Sequence, residues 1–184
     1  MSIILASQSP RRRELLAVIT PDFKIIPSDI EEIVPNNVGV IESPEYLAKI
    51  KAQDIAKKHP NDIVIGADTS VILGDVILGK PKDRQNAYEM LKMLSGNTHI
   101  VVTGCAIVNG DKTVSFSVKS EVEFYPLTDE EINAYLDTDE PYDKAGSYGI
   151  QAKGALLVKE IRGDYFNIVG LPIAELSRKL TEFI

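Results

Sequence analysis

The fold is decided by residues 62–73, which read DIVIGADTSVIL and are almost continuously apolar and β-branched. A run of this length and composition predicts a buried strand. Gly74-Asp75 follows it and leads into the apolar residues 76–78. A two-residue link that begins with glycine is typical of a tight hairpin, so we expect the chain to turn back on itself there.

The segments on either side of this strand alternate between strand and helix patterns. Helix caps, the helical spacing of apolar residues and an Asn-Gly turn indicate their bounds. We predict strands at 2–6, 23–27, 99–108, 113–125 and 155–161, and helices at 10–18, 44–58, 84–94, 128–136 and 171–183. Residues 139–154 are expected to form a loop. Strands and helices alternate early and meander in the middle, which predicts one α/β domain over residues 1–184 with a mixed sheet.

The composition is that of an ordinary globular protein, with 44% hydrophobic and 26% charged residues. No apolar run approaches the ~20 residues that span a bilayer. The net charge of −7 disfavours a nucleic-acid surface, which needs a basic face. Cys105 is the single cysteine, which excludes an internal disulfide, and no basic leader is evident. We therefore expect a reduced, cytoplasmic protein that binds neither nucleic acid nor a membrane.

The first predicted helix begins with an unfavourable charge pattern. Ser9 and Pro10 are a good cap and first residue. Arg11, Arg12 and Arg13 then place three cations at the positive end of the helix dipole. The arginines either splay into solvent or pair with acids elsewhere, or this helix start binds an anion such as a phosphate group.

Asp68 is the second unusual feature, because a carboxylate in the middle of a buried strand is costly unless it is paired, metal-bound or at the edge of a cleft. Either it is a structural acid bonded to backbone donors, or it is functional, and we favour function. Gly66 and Ala67 are small and are expected to leave room for a ligand. Asp68 and Thr69 should point to opposite faces of a regular strand, so a bulge or a strand edge is expected here.

Several motifs resemble those of the Maf family over essentially the whole chain. Residues 5–16, LASQSPRRRELL, are similar to its opening Ser-x-Ser-Pro-Arg-Arg turn. Residues 67–69 resemble its Ala-Asp-Thr motif, and residues 143–151, DKAGSYGIQ, resemble its glutamine-bearing loop. The resemblance implies an elongated α/β fold of the Maf and ITPase type, with a mixed sheet flanked by helices and two lobes around a cleft. It also implies a homodimer.

The activity that the resemblance implies is hydrolysis of a nucleoside triphosphate to its monophosphate and pyrophosphate. In the family pattern Asp68 is the general base, and Glu32 and Asp68 would hold a divalent cation, Mg²⁺ or alternatively Mn²⁺. Thr69 would contribute to substrate selectivity and Gln151 would recognise the base. The substrate-binding residues would also include Ser9, Arg11, Arg12, Lys51 and Lys80.

Some of these positions carry little weight without the resemblance. Glu31-Glu32 alone reads as an ordinary pair of surface acids, and Lys51 as a solvated helix position. Lys80 is better placed, because Pro81 fixes it at the end of the predicted hairpin. Ala152 stands where relatives commonly carry glycine, so a positive φ at this position would strain the loop that carries Gln151.

The motifs at Arg12 and Gln151 resemble the subfamily that acts on dTTP and UTP, including modified pyrimidine nucleotides. Two alternatives stay open. One is the sister subfamily that prefers 7-methyl-GTP, which the absence of tryptophan disfavours because a methylated purine cation suits an aromatic cage. The other is a non-enzymatic regulator of septum formation. Zinc and Ser-His-Asp chemistry are disfavoured, since the two histidines, His59 and His99, have no ligand spacing around them.

Overall fold

The computed structural model describes residues 1–184, which form seven strands and six helices. The strands are β1 (Ile3–Leu5), β2 (Phe23–Ile25), β3 (Ile63–Leu73), β4 (Val76–Leu78), β5 (Thr98–Asn109), β6 (Lys112–Phe124) and β7 (Val158–Arg162). The helices are α1 (Pro10–Ile19), α2 (Ser43–Lys58), α3 (Arg84–Leu94), α4 (Asp129–Leu136), α5 (Tyr165–Val169) and α6 (Ile173–Leu180). No helix combines the length and the apolar character needed to cross a membrane.

All seven strands belong to one mixed sheet in the order β2-β1-β3-β5-β6-β7, with β4 paired to β3. β1 is parallel to both β2 and β3. β3 pairs antiparallel with β4 across the Gly74-Asp75 turn, and β6 pairs antiparallel with β7. The mixed-sheet α/β prediction is therefore confirmed, and so is the hairpin that follows the central strand.

The chain divides into two compact units, in agreement with the two lobes that were expected. The first unit contains residues 1–69, 103–118 and 166–184, and the second contains residues 70–102 and 119–165. The elongated shape, the cleft and the single-domain extent of 1–184 stay predictions.

In the first unit, helices cover both faces of the sheet because successive strand residues point to opposite sides. One face carries α1 and α6, and its buried cluster consists of Leu5, Leu16, Ile63, Ile65, Ala67, Cys105, Ile107, Leu171, Leu176 and Leu180. The other face carries α2, and its cluster consists of Ile4, Ala6, Ala48, Ala52, Ile55, Ala56, Val64, Ala106 and Val108. Cys105 is a buried core residue whose pKa burial raises to about 12, so it is not a nucleophile.

Two glycines allow α2 to lie directly against this sheet. A methyl group at Gly66 would overlap the Ala48 carbonyl oxygen, and one at Gly104 would overlap the backbone of Pro44 and Glu45. The prediction that Gly66 and Ala67 leave room for a ligand is therefore wrong. The space at Gly66 is filled by the helix backbone, and Ala67 is fully buried.

The second unit contains the helical pair α3 and α4 and a group of aromatic rings. Thr128 forms the predicted capping box with Glu131 at the start of α4. The rings of His99, Phe124 and Tyr148 meet edge to face, with centroids 4.8 to 5.4 Å apart. Tyr148 lies within the predicted loop 139–154, so these ring contacts anchor that loop. Most of the loop forms short 3-10 turns rather than a regular element.

Two of the differences from the sequence predictions, both in the last third of the chain, have local reasons. β7 begins at Val158 and not at residue 155, because residues Ala152–Leu157 form a 3-10 turn. The short helix α5 was not predicted and precedes α6, which begins at Ile173, just after Pro172. A five-residue helix has too few apolar positions to show a helical period in the sequence.

Candidate active site

The candidate site begins where β1 ends and α1 starts. β1 lies between β2 and β3, so the chain leaves it toward one neighbour and later returns on its other side. In open α/β sheets, ligands bind beyond the carboxyl ends of the strands at such a switch point. Ser9 caps α1 as predicted, since its hydroxyl accepts from Arg12 N at 3.4 Å.

β3 has a gap in the pairing along one of its edges. Residues 63–65 pair with β1 and residues 71–73 pair with β4, whereas the other edge of the strand carries β5. Asp68 and Thr69 lie in the interval between these two paired segments. The expected strand edge is therefore present at this point, and β3 continues through it from Ile63 to Leu73.

Arg12 fills this gap instead of pointing into solvent. Its Nη1 donates to the Ala67 carbonyl oxygen at 2.9 Å and to Ser7 Oγ at 3.2 Å. Its Nη2 donates to Thr69 Oγ1 at 2.9 Å, and its Nε donates to the Gly170 carbonyl oxygen at 2.9 Å. Burial lowers the pKa of Arg12, and the Asp68 carboxylate opposes that shift. Because four of its N–H donors are engaged within the protein, Arg12 orders the site, and one Nη2 donor is left for an anion.

Thr69 is the first of two hydroxyls linked beneath Arg12. Its Oγ1 lies 2.9 Å from Thr103 Oγ1 on β5. The Thr103 hydroxyl in turn donates to the Asn167 carbonyl oxygen at 2.8 Å, and Asn167 Oδ1 accepts from Thr103 N at 2.9 Å. Thr103 and Asn167 are both fully buried. This chain of hydrogen bonds fixes the position of the Thr69 side chain.

Asp68 faces the other way, as alternation along the strand requires. Lys51 on α2 places its Nζ 2.7 Å from Asp68 Oδ1 and 2.7 Å from Glu32 Oε1. The side chains of Lys51 and Asp68 are 12% and 14% exposed, whereas Glu32 is 55% exposed. One lysine thus joins a mostly buried carboxylate to one that remains open to solvent.

The environment of Asp68 alters its acidity. Burial raises the pKa of Asp68 above its ordinary value, and the Lys51 ammonium and the Arg12 guanidinium partly reverse that rise. Glu32 adds a smaller upward contribution. A carboxylate whose pKa is raised by burial is a stronger base than a free one, which suits proton transfer.

The donor set fits a hard divalent cation. No group of three or more His, Cys, Asp or Glu side chains is assembled to hold a metal by itself. Glu32 and Asp68 nevertheless bring carboxylate oxygens to a common cation, the Lys51 ammonium. Mg²⁺ uses one or two protein carboxylates together with substrate phosphates, so this pair is sufficient.

Lys80 and Gln151 lie in the second unit, whereas the other predicted site residues lie in the first. Lys80 is exposed directly after Gly79, whose carbonyl oxygen accepts from Gly146 N at 3.1 Å. Gln151 is exposed as well. The lysine segment and the glutamine loop are therefore connected within one unit.

The predicted residues of the first unit form two groups around β3. Asp68, Lys51 and Glu32 form one group. Arg12 and Thr69 form the other, with the Ser9 cap beside them. Arg11 is half-buried in the first turn of α1.

Sequence reasoning missed Ser7, Thr103, Asn167 and the Gly170 carbonyl. Thr103 stands in an apolar strand as Asp68 does, and a fully buried hydroxyl in such a run was the available signal. Asn167 and Gly170 lie in residues 161–172, which resemble the family pattern, and residues 170–172 of this segment suggest no more than a structural entry to the last helix. Their contact with Arg12 and Thr103 arises only in the folded chain.

Comparisons with known proteins give consistent matches over nearly the whole chain. The model of a family described as Maf-like protein matches residues 2–183. A Bacillus cytotoxicus protein named dTTP/UTP pyrophosphatase is 51% identical over 184 residues, covering 98% of this chain and 94% of the relative. A protein of the same name from Bacillus mycoides is 50% identical over 185 residues, covering 98% of this chain and 95% of the relative.

Solved structures show the same fold at low sequence identity. The Ham1 protein of Staphylococcus aureus superposes with a TM-score of 0.63 and 18% identity, covering 100% of both chains. A HAM1 protein from Coxiella burnetii has a TM-score of 0.57 and 17% identity, covering 98% of both chains. These two structures support the fold alone.

Proposed function

Because the chain belongs to the Maf family, we propose that it is a nucleoside triphosphate pyrophosphatase that hydrolyses dTTP and UTP. The relatives that are about half identical over nearly the whole chain carry this activity in their names. The observation that carries the proposal is the group Asp68, Lys51 and Glu32 beside a gap in β3. It joins a base, a cation and a second acid, the parts that phosphate chemistry needs.

The proposed reaction breaks the bond between the α and β phosphoryl groups. A water molecule attacks a phosphorus atom of this bond while Asp68 accepts a proton from the water. The products are the nucleoside monophosphate and pyrophosphate. Arg11, Arg12, Lys51 and Lys80 offset the negative charge that develops on the leaving pyrophosphate, with Arg12 limited to its remaining donor. Ser9 holds the N-terminus of α1, whose backbone N–H groups favour an anion.

Glu32 and Asp68 would hold the divalent cation, which we propose is Mg²⁺, with Mn²⁺ as the alternative. When bound, the cation neutralises phosphate charge and polarises the phosphoryl groups. Lys51, whose ammonium contacts both carboxylates, keeps their oxygens close together. Its positive charge also opposes the rise in the pKa of Asp68 that burial causes.

Gln151 is the proposed reader of the base. A carboxamide offers one acceptor and one donor, which match N3–H and O4 of uracil or thymine. Cytosine presents the reverse polarity at these positions. A site built for one hydrogen-bond pattern leaves polar groups unpaired with the other, and discrimination of this kind can reach ~10⁴-fold.

The experiment is a pyrophosphate-release assay that gives kcat/KM for UTP, dTTP, CTP and 7-methyl-GTP on wild type and Gln151→Ala. We expect wild type to prefer UTP and dTTP over CTP, and Gln151→Ala to narrow the UTP-to-CTP ratio. EDTA should abolish turnover and Mg²⁺ should restore it.

Gln85→Ala is the matched control, because this exposed glutamine on α3 bonds only to Glu89 within its own helix turn. It should behave as wild type. Preference for CTP or 7-methyl-GTP, or ratios that Gln151→Ala leaves unchanged, would remove Gln151 from base recognition. Full activity in EDTA would remove the metal from the scheme, and an absence of pyrophosphate release from every nucleotide would leave the septum regulator as the better hypothesis.

A further inference from the structure

The loop that carries Gln151, residues 145–154, is attached to its own unit at several points before the glutamine. Tyr148 Oη lies 2.7 Å from His99 Nε2, and both side chains are buried. Gly149 N donates to Tyr135 Oη at 3.1 Å. These contacts hold residues 148–149, so the backbone just before Gln151 has a fixed position.

The backbone after Gln151 is in an unfavourable conformation. Ala152 has φ of 51°, in the left-handed region that residues with a side chain seldom adopt. The positive φ considered for this position is therefore present. Nothing intrinsic to alanine keeps this conformation, so contacts around it must do so. Without them, residues 151–153 would relax and the Gln151 side chain would change direction.

Glu140 supplies those contacts. Its Oε1 accepts from Lys153 N at 3.0 Å and its Oε2 accepts from Gly154 N at 3.1 Å. The two N–H groups are consecutive and directly follow Ala152. Hydrogen bonds from backbone N–H groups to a carboxylate are stronger than those to a neutral oxygen, and here both oxygens of one carboxylate are used.

Glu140 is itself held in place. Lys144 Nζ donates to its carbonyl oxygen at 2.7 Å, and its own N–H lies 3.3 Å from Thr138 Oγ1. It is half-buried, so solvent competes less for its carboxylate than at a fully exposed position. A rigid backbone under Glu140 lets its carboxylate act as a fixed clamp.

We propose that Glu140 is a positioning residue for base recognition: its carboxylate clamps the N–H groups of Lys153 and Gly154 and thereby sets the direction of Gln151. This inference rests on the proposed role of Gln151. Both oxygens of its carboxylate are used by the loop backbone, so Glu140 acts through the loop. Its loss should therefore change which base is accepted more than it changes phosphate chemistry.

The first test is hydrogen exchange of the Lys153 and Gly154 amides in wild type and Glu140→Gln. The glutamine keeps the size of the side chain but has one acceptor oxygen in place of two. We expect at least one of the two amides to exchange about tenfold faster or more in the variant, because an opened hydrogen bond exposes its amide to solvent. Asp139→Asn, a neighbouring exposed acid, is the control and should leave both rates unchanged.

The second test is kcat/KM for UTP and CTP on Glu140→Gln, Gln151→Ala and the double variant. We expect Glu140→Gln to lower kcat/KM for UTP by about tenfold or more and to change that for CTP little, because misplacement of one recognition group costs this order of rate. If Glu140 had a merely structural role, Glu140→Gln would lower kcat/KM for UTP and for CTP by the same factor. In the Gln151→Ala background, Glu140→Gln should change the ratio no further.

The outcomes separate this inference from the proposed function. If Gln151→Ala lowers the UTP-to-CTP ratio of kcat/KM and Glu140→Gln leaves it at the wild-type value, only the role of the Glu140 clamp is overturned. Unchanged hydrogen-exchange rates of the Lys153 and Gly154 amides in Glu140→Gln would also overturn the clamp, and this measurement needs no substrate. Wild type with no preference for UTP over CTP would overturn base recognition by Gln151, and the role of the clamp with it.

Discussion

At the scale of single residues, the direction of the hydrogen bonds beneath Arg12 can be assigned. Thr103 donates its one hydroxyl proton to the Asn167 carbonyl, so Thr69 must donate to Thr103. Arg12 donates to Thr69 in turn. The Thr69 hydroxyl therefore offers only a remaining lone pair to any ligand, and it would act as an acceptor.

Thr103→Val tests this network through stability. Valine has the shape of threonine but removes the hydroxyl, which leaves the Thr69 proton without its acceptor, whereas the Asn167 carbonyl oxygen keeps the hydrogen bond from Gly170 N. Buried polar groups that lose a partner cost about 1–3 kcal/mol each. We expect urea denaturation to show a loss in the free energy of unfolding of about that size.

The matched control is Thr113→Val on β6, where the side chain is exposed. It should change the free energy of unfolding by no more than about 0.5 kcal/mol. Equal effects from the two substitutions would mean that the buried hydroxyl contributes nothing specific.

At the scale of elements, the contact between α2 and β3 sets the distance from Lys51 to Asp68. The helix backbone at Ala48 lies against Gly66, and Lys51 is one helical turn farther along. A side chain at Gly66 would push the helix away from the strand. The ion pair at 2.7 Å therefore depends on the absence of a side chain at Gly66.

Gly66→Ala should destabilise the protein and impair its activity together. Overpacking of this kind costs typically about 1–3 kcal/mol, and occasionally more. We expect that loss in urea denaturation and a lower kcat for UTP. Gly79→Ala is the control, because an added methyl group there meets no atom within 4 Å. Wild-type stability in Gly66→Ala would contradict the close packing of helix on strand.

The sequence predicted most of these elements because their signals are local. The Gly74-Asp75 hairpin, the Ser9 cap and the Thr128 capping box each depend on a few neighbouring residues. Asp68 could be identified because burying a carboxylate in an apolar strand costs free energy whatever the rest of the fold is. The partners of Arg12 could not be predicted, since Ala67 and Gly170 lie 55 and 158 residues away.

At the scale of the whole molecule, folding buries a histidine in its neutral form. His99 is 1% exposed, and burial lowers its pKa from 6.5 to about 4. The unfolded chain binds a proton more readily than the folded one in this interval. The stability that neutral His99 allows is therefore complete above pH 6.5 and is lost as the pH falls toward 4.

The loss below pH 4 should be on the order of 3 kcal/mol, at about 1.4 kcal/mol for each pH unit between the two pKa values. We expect urea denaturation between pH 7 and pH 4 to show that the free energy of unfolding of wild type falls with this slope. In His99→Phe the contribution of His99 to the slope should be absent, and any change in stability from the substitution itself should be the same at every pH. Parallel curves for wild type and His99→Phe would contradict the assignment.

The proposed catalysis depends most on Asp68 as the base that activates water. Asp68→Asn keeps the size of the side chain and removes the proton acceptor, and general-base catalysis contributes about 10²–10⁴ in rate. The measurement is kcat for pyrophosphate release from UTP by wild type and Asp68→Asn, with Asp111→Asn in the β5–β6 turn as the control. We expect kcat to fall at least about a hundredfold in Asp68→Asn and to stay unchanged in the control. If Asp68→Asn retained more than about a tenth of the wild-type kcat, its role as general base would be contradicted.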